Sequence, residues 1–239
     1  QGFEEMKRIC RVALVGECMI ELRGRIFGAM QQAFGGDTLN TAVYLSRLAG
    51  HKGVEVSYAT DLGSDPFSDA MIRAWEEEGI DMRLLKRESG RMPGLYTIQV
   101  DENGERTFHY WRDRSAAKAY FSPPSTPLEE QIEDIDVLYF SGISLAILDS
   151  AGRDRLFKAA ERLRAHGGKV IYDNNYRPRL WPVTVEARAW YALAYEISDT
   201  VMVTLDDEMA LFGITDEQKA LERVLALPCQ EVVIKRGSQ

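Results

Sequence analysis

Val137-Leu138-Tyr139-Phe140, then Leu156, Ala159, Ala160 and Leu163 on one helical face, then Lys169-Val170-Ile171-Tyr172: the order of these pieces decides the fold. A short apolar run, a helix with one apolar stripe and a second short run make a strand, helix, strand unit. A crossover of that length leaves its two strands parallel. Outward from this unit the same pieces recur. Ile9 to Val15, Val54 to Ala59, Val201 to Leu205 and Glu231 to Ile234 are further strand runs, and Leu39, Ala42, Val43, Leu45 and Leu48 share another helical face. This alternation predicts an α/β fold, a mainly parallel central sheet with helices on both faces. Asp37-Thr38 and Asp65-Pro66 read as helix starts; Gly50, Gly79 and Gly167 read as helix ends.

One stretch departs from the pattern. Leu95 to Val100 and Arg106 to Trp111 are rich in aromatic and β-branched residues, and Asp101-Glu102-Asn103-Gly104 between them is turn chemistry, so an antiparallel hairpin is expected. Met19 to Ala33, with Gly24 and Gly28, does not suit a core helix and is expected to join the hairpin in a small antiparallel β lid made from segments of about 17–34 and 91–114. Ser122 to Pro127 reads as the return linker. There is no internal repeat and no low-complexity tract, so residues 1–239 read as one α/β domain carrying a lid. The lid hairpin has an aromatic face that two strands cannot bury alone, which predicts a homodimer through the lid.

The composition, 45% hydrophobic and 28% charged, is that of an ordinary globular protein. With 29 bases against 37 acids the formal charge is −8, which argues against a general nucleic-acid or anionic-membrane surface but not against a local basic pocket. Cys10, Cys18 and Cys229 form neither a disulfide framework nor a zinc motif, and a reducing cytoplasm is the expected location. No apolar run reaches the roughly 18 to 20 residues that span a bilayer, and Gln1 to Lys7 does not read as a secretory signal. The sequence has no Walker-type loop, no Gly-x-Gly-x-x-Gly after the first strand and no His-Glu-x-x-His. His51 and His166, near helix ends, read as surface or capping residues.

Gly35-Gly36-Asp37-Thr38-Leu39-Asn40 stands just before a helix. Paired glycines let a backbone approach a ligand closely, and Asp37 and Asn40 are able to fix hydroxyls; a tight turn with an aspartate cap is the alternative. Further motifs are Gly16-Glu17-Cys18-Met19-Ile20-Glu21-Leu22, Pro93-Gly94-Leu95-Tyr96, Gly104-Glu105-Arg106-Thr107-Phe108, Tyr110-Trp111-Arg112, Ser141-Gly142-Ile143-Ser144-Leu145 and Asp173-Asn174-Asn175-Tyr176-Arg177-Pro178-Arg179-Leu180-Trp181. Taken together from Val12 to Gly237, they resemble the ribokinase-like, or PfkB, carbohydrate kinases, whose signature includes Gly-Gly followed by Asn-x-Ala, as in Gly35, Gly36, Asn40 and Ala42 here.

The resemblance implies an α/β sandwich with a β lid, and transfer of the γ-phosphoryl group of ATP, with Mg2+, to the 6-hydroxyl of 2-keto-3-deoxygluconate. A kinase of a neutral sugar such as fructose and a non-catalytic sugar-acid-binding protein are the alternatives. It further implies that Gly35, Gly36, Asp37, Thr38 and Asn40 hold sugar hydroxyls and that Tyr96, Tyr110 and Arg112 reach in from the lid. Arg177 would lie near substrate and nucleotide, with Asn175, Lys235, Arg236 and Gly237 on the nucleotide side and Glu208 at the metal. A planar arginine fork suits a sugar-acid carboxylate, which singles out Arg112 and Arg177.

Each reading has a plainer one beside it. Arg112 could stack on Tyr110 or Trp111. Glu17 could touch substrate or simply end the first strand, and Asp173 to Trp181 could be a polar loop after a strand. Glu208 could complement a helix dipole, and Lys235-Arg236-Gly237 could be a solvated strand end. Two departures stand out. The stretch Thr204 to Glu208 stands at the place of the family's Asn-x-x-Glu but has no asparagine, so only Glu208 carries over, and the Gly-Ala-Gly-Asp carrying the family's general base is not among these residues. The expectation is a sugar pocket and part of a nucleotide pocket without the proton acceptor, so that this stretch by itself would turn over poorly.

Overall fold

The computed structural model describes residues 9–101 and 103–236. The chain opens with β1 (Cys10–Val15), β2 (Met19–Gly24), β3 (Met30–Gly35) and α1 (Asp37–Ala49). Next come β4 (Val54–Ala59), β5 (Asp61–Leu62), α2 (Pro66–Glu77), β6 (Ile80–Asp81) and β7 (Lys86–Arg87). The hairpin β8 (Leu95–Val100) and β9 (Arg106–Trp111) is followed by α3 (Pro127–Gln131), β10 (Val137–Ser141), α4 (Gly142–Ile147) and α5 (Ser150–Ala165). The last described elements are β11 (Lys169–Asp173), α6 (Thr184–Ile197), β12 (Thr200–Thr204), α7 (Leu205–Phe212), α8 (Glu217–Leu225) and β13 (Glu231–Lys235).

Seven strands form the central sheet in the order β13-β12-β11-β10-β1-β4-β6, with every neighbouring pair parallel. The order reverses beside β1, whose Val12 lies between Val137 and Val56. Alternate residues of β1 serve two layers, as a strand covered on both faces requires. Val12 and Leu14 pack with Leu39, Tyr58 and Trp75. Ala13 and Val15 pack on the other side with Phe140, Leu156 and Leu163. From the end of β1 the chain passes into a second sheet, in the order β3-β2-β8-β9. Its outer pairings are antiparallel, as the hairpin pattern predicts, while the central β2–β8 pairing is parallel.

Local chemistry sets the helix ends. Asp65 accepts from the Ser68 N–H at 3.0 Å with Pro66 at the first helical position, and His166 closes α5 with its ring 2.9 Å from the Arg162 carbonyl. Gly50 is the C-cap of α1, as expected, and Gly50 to Lys52 add a 3-10 turn before the chain turns off at Gly53, in the left-handed region at φ 87°. One expectation is corrected. Asp37 does not cap α1: Gly36 holds the cap position, and the aspartate carboxylate points elsewhere. Among the described residues no helix is long and apolar enough to cross a membrane.

Candidate functional site

Ser141, Asp173, Thr204 and Lys235 are the last residues of four successive parallel strands, the end at which open α/β sheets take ligands. The start of α1 faces them. Asp37 Oδ2 accepts from Ser141 Oγ at 2.5 Å and from Asn175 Nδ2 at 2.8 Å, which joins α1, the end of β10 and the loop after β11. That loop is anchored by Asn174, whose side-chain amide exchanges two hydrogen bonds with the Thr204 backbone at 2.9 and 3.1 Å. Lys235 donates to both oxygens of buried Asp173, and Tyr139 adds a third bond at 3.2 Å. Burial, reinforced by the charge of Asp173, pushes the Tyr139 hydroxyl well above its ordinary value, so it remains a donor.

Arg177 lies farther out, half exposed, 3.4 Å from Asp207. Burial raises the Asp207 carboxyl, opposed by the Arg177 charge and the Tyr176 N–H.

A second cluster forms where the lid meets the sheet. Arg112, at the end of β9, donates to Glu17, which follows β1, and both are buried. The bond is end-on: among the described residues Arg112 Nε and Glu17 Oε1 are buried without partners. The Arg112 guanidinium also lies 5.8 Å from the centroid of Tyr110, so the stacking reading holds, and its carboxylate partner within the chain is Glu17. Gly94 makes room for the pair, since a Cβ there would lie 2.8 Å from Glu17 Oε1 and 3.1 Å from Arg112 Cβ. Gly36 is needed for the same reason, because a Cβ would collide with the Glu17 carbonyl. Tyr96 donates to Glu21, and burial, followed by that bond, raises its hydroxyl above the ordinary tyrosine value. Gly36 and Asp37 therefore stand between the lid-base cluster and the strand-end cluster.

Of the residues singled out by sequence, the structure gathers Gly35, Gly36, Asp37, Tyr96, Arg112, Asn175, Arg177 and Lys235 around this crevice. Asn40 is exposed on the first turn of α1, and Tyr110 is exposed on β9 beside Tyr96, ring centroids 5.8 Å apart. Thr38 is a correction. It has no exposed surface and its hydroxyl is bonded to Tyr58 at 2.9 Å inside the core, so it braces the loop from behind.

Glu208 is a second correction. It is fully buried, held by Tyr195 at 2.5 Å and Arg223 at 3.0 Å, on the face of α7 turned away from Arg177. Asp207, one position earlier, is the acid that faces the loop, and three-residue spacing from Thr204 would have identified it. Arg236 is exposed and paired with Glu217 at 2.6 Å, outside the cluster. Gly237 lies outside the described residues. The roles of Ser141 and Tyr139 went unread, because neither type in a strand signals a partner.

The parallel sheet thus gathers polar groups at its strand ends, beside a projecting β lid. The sequence matches the pfkB family carbohydrate kinase pattern over residues 10–239, and the chain belongs to that family. It is 46% identical over 229 residues to the 2-dehydro-3-deoxygluconokinase of Dickeya dadantii (strain 3937), covering 95% of this chain and 73% of that protein. The same identity over 230 residues relates it to the Escherichia coli (strain K12) protein of that name, covering 95% and 74%. In fold it is similar to the crystal structure of 2-dehydro-3-deoxygluconokinase from Thermotoga maritima, with a TM-score of 0.81 at 23% identity, covering 95% of this chain and 71% of that one.

Proposed function

We propose that the chain binds ATP and 2-keto-3-deoxygluconate and serves transfer of the γ-phosphoryl group to the 6-hydroxyl of the sugar acid. The observation that carries this reading is the 46% identity, over nearly the whole chain, to relatives named for phosphorylating that compound. Arg112 and Arg177 are the arginines proposed to meet the substrate carboxylate, Arg177 being the more exposed of the two. In the reaction the sugar hydroxyl oxygen bonds to the γ-phosphorus, the bond to the bridging oxygen breaks, ADP leaves and the hydroxyl proton is lost. Asp37, which accepts from Ser141 and Asn175, orients sugar hydroxyls in this reading.

Magnesium, when bound with the nucleotide, neutralises charge on the phosphates. Among the described residues no three His, Cys, Asp or Glu gather into a cage. An ion held mainly by phosphates and water needs only one or two carboxylates, and Asp207 fits that part. The protein is read as cytoplasmic, and a second copy is read as covering the exposed lid residues Phe27, Tyr110 and Trp111.

Calorimetric titration with 2-keto-3-deoxygluconate and with fructose tests the substrate, and ADP release in the presence of ATP and Mg2+ tests turnover. The sugar acid should bind at least about tenfold more tightly, the worth of one charge-assisted bond. Equal affinities would remove the sugar-acid reading in favour of a neutral sugar.

A further inference from the structure

Asp173 ends β11 and Lys235 ends β13, with β12 between them. Lys235 spans the end of β12 and donates to both carboxylate oxygens, at 2.8 and 2.7 Å. An ammonium has three N–H donors. Asp173 takes two of them, no other acceptor among the described residues engages Lys235, and 36% of its side chain stays exposed. The carboxylate is the fixed partner: it is buried, and Tyr139 from β10 holds one of its oxygens.

Such a pair is a poor device for stability, because an apolar pair of similar volume typically does as well or better in a largely buried setting. Its placement is informative. It sits where a parallel sheet takes ligands, and the chain leaving Asp173 carries Asn175 and Arg177 into the same crevice. A free lysine on a strand end would sample many rotamers; one gripped through two hydrogen bonds presents its remaining N–H in a fixed direction. We propose that Asp173 is a positioning residue that fixes the Lys235 ammonium in this crevice as a cation for the polyphosphate of a nucleoside triphosphate, with Tyr139 fixing Asp173 in turn. The inference rests on the nucleotide half of the kinase reading.

The test is calorimetry on the full chain with three probes: magnesium adenylyl-imidodiphosphate, adenosine and 2-keto-3-deoxygluconate. Asp173→Asn should weaken the triphosphate analogue about tenfold or more while adenosine and the sugar acid stay within about twofold, since the proposal gives the ammonium to the phosphates alone. Asp173→Glu should recover part of the loss, and Tyr139→Phe should give a smaller loss of the same kind. Unchanged affinity for the analogue in Asp173→Asn, or equal losses for all three probes, overturns the proposal. If that variant does not fold, Lys235→Gln decides: a folded Lys235→Gln protein with unchanged affinity for the analogue overturns it. A wild-type chain that binds the analogue but not the sugar acid refutes the substrate reading and leaves this one standing. One that binds the sugar acid but not the analogue refutes this one.

Discussion

The Glu17–Arg112 pair is the place where the structure makes its most quantitative demand. Both side chains are buried, with 1% of Glu17 and 8% of Arg112 exposed, and one end-on bond joins them. Removing one partner leaves an uncompensated charge out of water, which typically costs about 3–5 kcal/mol. For a chain of this size that corresponds to a fall in Tm on the order of 6–20 °C. Glu17→Gln and Arg112→Met should each show it by thermal unfolding. The double variant should come back to within about 1 kcal/mol of wild type, because Arg112 Nε and Glu17 Oε1 are unpartnered already and the intact pair carries an unrelieved desolvation cost. The double-mutant cycle therefore predicts a coupling of about 5 kcal/mol or more. Additive losses, with Arg112→Met accounting for most of the total, would refute this reasoning. Stacking on Tyr110 would then be what Arg112 contributes to stability.

Two further outcomes separate neighbouring readings. Asp207→Asn should lower Mg2+-dependent affinity for nucleotide with little change in Tm, whereas Glu208→Gln should lower Tm through loss of the buried Tyr195 and Arg223 bonds and leave nucleotide affinity in place; measuring both properties on both variants checks the exchange of roles. Trp111→Glu, which puts a charge on the exposed lid strand, should convert a dimer to a monomer in light scattering, and a wild-type chain that is monomeric at micromolar concentration would remove the lid-pairing proposal.

The parts of the fold legible in sequence are those written in repeating patterns. Buried strands of a parallel sheet are continuous apolar runs, and helices that cover them carry an apolar stripe, so the alternation from β1 to β13 could be read directly. The lid announced itself through the turn after Val100. The two-residue strands β5, β6 and β7 could not be read, since two residues carry no period.

Site residues were legible only where a motif fixed them. Glu17 and Arg112 are 95 positions apart, and nothing local in either segment names the other. Asp207 and Glu208 are adjacent, yet successive helical positions point about 100° apart, which turned one acid toward the loop and the other into the core. Asp37 looked like a cap because aspartate at a helix start usually is one. Tertiary partners, Ser141 and Asn175, drew its carboxylate away.

The position of β1 in the middle of the sheet has a consequence for how the protein is made. One side of the strand can be occupied early, because β4 follows it closely in sequence, but the other side waits for β10. Arg11 and Asp136, bonded across that junction at 2.8 Å, are 125 positions apart. At translation rates of about 5–20 residues per second, the ribosome needs roughly 6–25 s to span that gap. Throughout that interval an apolar strand with an unpaired row of N–H and C=O groups sits outside the tunnel, open to pairing with whatever strand meets it first. Co-translational capture by a chaperone, or slow passage through this stretch of message, would act on that single open edge more than on any other part of the molecule.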